Sequence, residues 1–139
     1  MSTSLLKPNI FSALKDLLVL VVDHNVDNLV LLRAILEEYE VRVTTARSVG
    51  EALQAIARIK PDILISDILI PVEDGYSLIR QIRNLETKQE RQLPAIALTA
   101  AILEEGSTLA LNAGFQMYET KPINFDKLLT AMVRFATAR

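Results

Sequence analysis

The chain has 139 residues, the size of one domain, and half of them are hydrophobic, which is enough for a sizeable core. Its 15 basic and 17 acidic residues leave a formal net charge of −2, which argues against a dedicated nucleic-acid-binding protein, because such proteins present a basic face. The absence of cysteine excludes disulfides and thiol chemistry, and without a signal peptide or a bilayer-long apolar stretch we expect a cytoplasmic protein that does not enter membranes.

The chain begins with a leader, residues 1–16, in which Pro8 interrupts the apolar residues. A short packed helix and a loose arm are both compatible with this segment. We favour the arm, because chain termini are often disordered. The remaining residues, 17–139, are assigned to one domain.

Short apolar runs then alternate with stretches whose apolar residues recur at helical spacing. In chain order the predicted elements are a strand at 17–22, a helix to residue 39, a strand at 41–45, a helix at 48–59, a strand at 63–67, a helix at 75–84, a strand at 94–98, a helix at 103–113, a strand at 115–119 and a last helix. Five strands alternating with five helices predict an α/β fold, with a parallel sheet covered by helices on both faces.

Capping residues indicate where three of these helices begin. Asn25 or Asp27 is expected to cap the first helix after the leader, and Asn124 or Asp126 the last one. Ser48 is followed by a glutamate three residues later, the pattern of a capping box.

Polar residues stand at the carboxyl ends of four predicted strands: Asp23, Asp67, Thr99 and Lys121. In an open α/β sheet these ends lie at one edge, where ligands bind. Two carboxylates can hold a hard cation such as Mg²⁺, and a carboxylate can also attack phosphorus to form an aspartyl phosphate. A lysine would neutralise charge on the moving phosphoryl group, and a threonine hydroxyl could donate a hydrogen bond to a phosphate oxygen.

Four short motifs coincide with these strand ends. They are VVD at 21–23, SDILIP-x-x-DG at 66–75, Leu98-Thr99-Ala100, and Lys121-Pro122. Each motif is weak alone, but four in this order are highly specific. Over about residues 17–137 the chain resembles the receiver domain of bacterial two-component response regulators, the CheY-like family. The resemblance implies a doubly wound, flavodoxin-like sheet with the strand order 2-1-3-4-5.

The resemblance also implies roles for individual residues. Asp67 corresponds to the phosphoacceptor, and Asp23 to one of two acidic residues that place Mg²⁺ together with Asp67 and the backbone carbonyl of Leu69. Lys121 corresponds to the lysine that pairs with the phosphoryl group, and Thr99 to the switch hydroxyl that moves toward it. For Asp23 an ion pair with Lys121 alone remains an alternative, and for Thr99 a turn cap.

Two further features follow from the same resemblance. Tyr118 stands where the family has an aromatic residue that rotates on activation, although a half-buried tyrosine at a strand edge is equally compatible with its position. The Lys121-Pro122 peptide bond is expected to be cis, which is realistic only before proline.

One position departs sharply from the family pattern. Most receivers have two adjacent acidic residues after the first strand, but here Asp23 is followed by His24. Imidazole is a poor ligand for Mg²⁺ and suits transition metals better. The simplest interpretation of His24 is an exposed imidazole without a functional role, and a metal-selective or pH-sensitive role is the alternative.

The resemblance implies a signalling module rather than an enzyme. A partner histidine kinase or phosphotransfer protein would phosphorylate Asp67, and the face formed by the fourth predicted helix, the fifth strand and the last helix would bind a downstream protein. The alternative is a degenerate receiver that acts as a phosphate-independent protein-binding module, because His24 replaces an acidic metal-site residue. A flavin or nucleotide enzyme is disfavoured, since the four glycines form no phosphate-binding loop.

Overall fold

The computed structural model describes residues 7–68, 75–86, 92–99 and 104–137. Its sheet has five strands: β1 (Leu18–Val22), β2 (Arg42–Ala46), β3 (Ile63–Asp67), β4 (Ala95–Thr99) and β5 (Met117–Thr120). All neighbouring strands pair in parallel, in the order β2-β1-β3-β4-β5. The predicted doubly wound α/β sheet and its strand order are confirmed.

Within the described ranges six helices accompany the sheet: α1 (Lys7–Leu14), α2 (Val26–Glu37), α3 (Val49–Ile59), α4 (Gly75–Leu85), α5 (Glu104–Ala113) and α6 (Phe125–Thr137). The five predicted helices are all present, and their bounds differ from the predicted ones by only a few residues. No helix in the described part of the chain is both long enough and apolar enough to cross a membrane.

The sixth helix, α1, corrects the prediction of five helices and of a loose N-terminal arm. Pro8 is the second residue of α1, in the first turn, where a helix tolerates proline because the N–H groups there have no intrahelical acceptor. Leu14 is fully buried, Ile10 packs against the same cluster, and α1 lies against α6. Packing therefore orders residues 7–14, while the boundary between leader and domain at residue 17 stays a prediction.

The helix caps follow one local rule. Asn25, Ser48 and Asn124 each accept, through the side-chain oxygen, the backbone N–H three residues later, at 3.2, 3.1 and 3.1 Å. The structure thus selects Asn25 over Asp27 and Asn124 over Asp126. These three bonds satisfy N–H groups that no helical carbonyl can reach.

Two apolar clusters fill the space on either side of the sheet. Because side chains alternate along a strand, Leu20 and Val22 of β1 join the cluster beneath α3, α4 and α5, and Val19 and Val21 join the one beneath α2 and α6. Every residue of β3 is buried, as its apolar run predicts for a central parallel strand. Burying each valine, leucine or isoleucine side chain of these clusters stabilises the fold by about 1.5–3 kcal/mol relative to leaving it exposed. The register fixed in this way brings the carboxyl ends of the strands to one edge.

Candidate functional site

Two buried carboxylates stand at this edge, at the ends of neighbouring strands. Asp67 is the last residue of β3, Asp23 directly follows β1, and only 2% and 1% of their surfaces are exposed. The N–H of Asp23 donates to the carbonyl of Ala46 at 3.1 Å, and the N–H of Ile68 donates to that of Leu98 at 3.0 Å. Continuation of the backbone ladder beyond the strands therefore holds both carboxylates in place.

Lys121 supplies the positive charge between them. Its Nζ lies 3.3 Å from Asp23 Oδ2 and 3.4 Å from Asp67 Oδ2, and 22% of its side chain is exposed. Lys121 directly follows β5, and the Lys121-Pro122 peptide bond is cis, as the resemblance implies. The lysine therefore bridges both acidic groups, which compensates part of the cost of burying two negative charges.

His24 completes a cluster of potential ligands. Its Nδ1 lies 3.7 Å from Asp23 Oδ1 and 3.7 Å from Asp67 Oδ2, with 47% of the side chain exposed. Both distances exceed the range of a hydrogen bond. One donor atom from each of the three residues lies within 4.8 Å of the others, a separation at which they could hold one metal ion. The histidine thus faces the two carboxylates.

Asn28 is a site residue that the sequence analysis missed. Its Nδ2 donates to Asp23 Oδ2 at 3.1 Å, and the backbone N–H of Asn25 donates to Asp23 Oδ1 at 2.9 Å. Both groups orient the carboxylate of Asp23. The available signal was an amide in the first turn of the helix that follows the carboxylate, but an asparagine there looks like an ordinary surface residue.

Gly75, the first residue of α4, approaches the backbone of the site so closely that no side chain fits. A Cβ atom at this position would lie 2.6 Å from the carbonyl oxygen of Asp67 and 2.8 Å from the Cα of Ile68. The N–H of Gly75 donates to the carbonyl of Ile68 at 2.7 Å. Glycine here serves close backbone approach, one of the reasons for which chains use it.

The remaining predicted site residues are placed only in part. Thr99 ends β4 and pairs with Thr120 of β5, but its side chain is outside the described part of the structure. Leu69, whose carbonyl the resemblance implies as a ligand, lies outside the described residues altogether. Tyr118 lies in β5 with 39% of its surface exposed. Its switching role, like that of Thr99, stays a prediction.

Glu119 is a buried carboxyl in the same strand as Tyr118, outside the cluster. It is 8% exposed, and burial raises the pKa of its carboxyl, an effect that the positive charge of Lys127 partly opposes. The fold therefore places a desolvated acid two residues before Lys121.

The donor set does not match Mg²⁺. This ion prefers oxygen ligands in near-octahedral geometry, whereas one of the three facing donors is an imidazole nitrogen. Imidazole is better suited to zinc, copper, iron and nickel. Among the described residues, the site keeps the two carboxylates of the pattern that the resemblance implies, and position 24 carries an imidazole where that pattern has a further acidic group.

Comparison with known proteins identifies the family to which the chain is related. The family described as the response regulator receiver domain matches residues 19–133. An uncharacterised 14.6 kDa protein of Leptolyngbya boryana is 40% identical over 120 residues, 86% of this chain and 90% of that protein. Hybrid signal transduction histidine kinase D of Dictyostelium discoideum is 33% identical over 105 residues, which cover 69% of this chain but 7% of the kinase.

A solved structure agrees with these sequence relatives. The receiver domain of the sensor histidine kinase PA1611 from Pseudomonas aeruginosa, which holds a magnesium ion in its active-site cleft, superposes with a TM-score of 0.78. It is 31% identical, and the alignment covers 88% of this chain and 98% of that domain. The predicted resemblance is confirmed: this chain belongs to the response regulator receiver domain family of two-component signalling modules.

Proposed function

We propose that this chain accepts a phosphoryl group on Asp67 from a partner histidine kinase or phosphotransfer protein. The observation that carries this proposal is the buried Asp67 carboxylate at the end of β3, with Lys121 Nζ 3.4 Å from its Oδ2. Relatives in which such a domain belongs to a histidine kinase support this class of partner.

The transfer forms one bond and breaks one. An oxygen of Asp67 attacks the phosphorus of a phosphohistidine on the partner, the phosphorus–nitrogen bond breaks, and its electron pair returns to the imidazole of the partner. The product is an acyl phosphate on Asp67. Lys121 lies beside Asp67 Oδ2, and its ammonium group stabilises the charge on the transferred phosphoryl oxygens. Asn28 and Lys121 both contact Asp23 Oδ2 and keep that carboxylate turned toward the site.

The phosphoryl group then biases a two-state equilibrium. Thr99 ends the strand beside β3, so its hydroxyl is the candidate group to follow the new charge, and Tyr118 lies on the next strand. In this proposal the face formed by α5, β5 and α6 binds a downstream protein in one of the two states.

Intact mass spectrometry after incubation with acetyl phosphate tests the acceptor residue. The wild-type chain is expected to gain one phosphoryl group, and Asp67→Asn none, because an amide cannot form the acyl phosphate. Asp27→Asn is the matched control: it removes a nearby exposed carboxylate that lies outside the cluster and should leave the gain unchanged. Equal gain in Asp67→Asn, or no gain in wild type with Mg²⁺, Mn²⁺ or Co²⁺ present, would overturn the proposal.

A second candidate function is a phosphate-independent protein-binding module. The observation that favours it is His24, which stands where most receivers carry an acidic metal-site residue and whose Nδ1 lies 3.7 Å from both carboxylates. Folded wild-type protein whose backbone amide NMR signals do not respond to beryllofluoride with any of these cations would support the binding module. Shifts at Asp67, Thr99 and Lys121 would support the phosphoryl acceptor.

A further inference from the structure

We infer that the cation of this site is a divalent first-row transition ion, held by Asp23 Oδ1, His24 Nδ1 and Asp67 Oδ2, rather than Mg²⁺. The inference deepens the proposed function and rests on it, because it names the cation class of the same site. It begins from the disagreement between an all-oxygen magnesium site and the nitrogen donor in this chain.

The first argument is geometric. His24 Nδ1 is 3.7 Å from Asp23 Oδ1 and 3.7 Å from Asp67 Oδ2, and one donor atom from each of the three residues lies within 4.8 Å of the others. Two ligands of a tetrahedral ion with bonds of about 2.1 Å lie about 3.4 Å apart, so small rotations of these side chains suffice to bring them onto one ion.

The second argument is electrostatic. Lys121 Nζ lies 3.3 Å from Asp23 and 3.4 Å from Asp67, so two carboxylates and one ammonium leave a local charge near −1 when His24 is neutral. A second acidic residue in place of His24 would make this charge near −2. Mg²⁺ depends on charged oxygen ligands, so an imidazole in place of a carboxylate lowers its affinity. A transition ion loses less affinity, because it gains a bond to the imidazole nitrogen.

The composition of the chain makes the imidazole directly observable. His24 is the single histidine, and the chain has no cysteine. In tag-free protein, Co²⁺ ligation by imidazole must therefore appear as paramagnetic shifts of the ring protons of His24. This measurement on the wild-type chain depends on no variant and on no phosphorylation.

Titrations with Co²⁺ and Mg²⁺, followed by NMR, test the selectivity. We expect wild type to bind Co²⁺ at least about 100-fold tighter than Mg²⁺, with shifted His24 ring signals. His24→Asp should lower the ratio of the two affinities at least about tenfold, because it restores an oxygen ligand. Asp27→Asn, the matched control, should keep the wild-type ratio, since Asp27 lies outside the cluster.

Two results would overturn the inference: His24 ring signals that Co²⁺ leaves in place, or a ratio in folded His24→Asp within about twofold of the wild-type value. Failure of the proposed function is recognised separately. If the wild-type chain binds Co²⁺ through His24 but gains no phosphoryl group, the assignment of the cation stands and the proposal that Asp67 is the phosphoacceptor fails. If Asp67 is phosphorylated but Co²⁺ leaves the His24 ring signals unshifted, the phosphoacceptor proposal stands and the assignment of the cation fails.

Discussion

Gly75→Ala is expected to destabilise the fold through a backbone clash at the site. The added methyl group would lie 2.6 Å from the carbonyl oxygen of Asp67 and 2.8 Å from the Cα of Ile68, both backbone atoms that cannot rotate away. Real Cβ contacts essentially never fall below 3.0 Å, so α4 or the end of β3 must move by several tenths of an ångström. Either movement changes the surroundings of the Asp67 backbone.

The magnitude follows from two opposing effects. Overpacking of this kind destabilises the native state by about 1–3 kcal/mol. Replacing a helical glycine by alanine stabilises it by about 0.5–1 kcal/mol, because alanine lowers the backbone entropy of the unfolded chain. Gly50 offers the matched control, because it lies in the first turn of α3 and a Cβ there would meet nothing within 4 Å. We therefore expect Gly75→Ala to lose stability and Gly50→Ala to gain up to about 1 kcal/mol.

Urea unfolding, followed by circular dichroism, measures both variants. The free energies of unfolding of the two variants should differ by about 1–3 kcal/mol, because the gain from replacing glycine is common to both and cancels. The backbone amide of Asp67 should be shifted in NMR spectra of Gly75→Ala alone. Equal stability of the two variants would refute the reasoning, since it would mean that the close approach in the structure carries no cost.

Two further predictions concern residues away from the cluster. Arg83→Ala should lower the free energy of unfolding by about 1–3 kcal/mol in urea titrations, because the Arg83 side chain donates to the half-buried carbonyl of Gly114 at 3.0 and 2.8 Å and pairs with Glu86 at 2.9 Å, and these charge-assisted bonds are lost. An unchanged midpoint would contradict this. Burial raises the pKa of Glu119 above its ordinary value of 4.5, against the opposing charge of Lys127, so the native state binds its proton more tightly than the unfolded chain. The stability that this group contributes is therefore lost as pH rises from 4.5 through the raised pKa. In thermal unfolding, Glu119→Gln should be as stable as wild type below that pH window and more stable than wild type at pH 7. The opposite order at pH 7 would contradict the burial of a charged carboxyl.

Much of the fold could be predicted because the sequence patterns are local. The five apolar runs gave the strands, and alternation with amphipathic stretches gave the parallel sheet. The helix α1 could not be predicted in the same way. Pro8 looks like an interruption until the helix is known to begin at Lys7, and the burial of Leu14 depends on packing against α6, which begins only at Phe125.

The site was predictable in its membership but not in its geometry. Because the strands are parallel, their carboxyl ends meet at one edge, which brings Asp23, Asp67 and Lys121 together as expected. No pattern in the sequence shows that the imidazole of His24 turns toward both carboxylates rather than toward solvent, because the rotation of a half-exposed side chain depends on its neighbours in space. The amide of Asn28 was missed for the same reason.

The strand ends that carry the two carboxylates are fastened to their neighbours by the N–H groups of Asp23 and Ile68. In terms of hydrogen exchange, these two amides belong with the sheet and not with the loops, so they open only when strand pairing opens. Fluctuations that leave the ladder intact thus keep Asp23 and Asp67 in register. The acidic part of the site therefore persists for as long as strand pairing at this edge of the sheet persists.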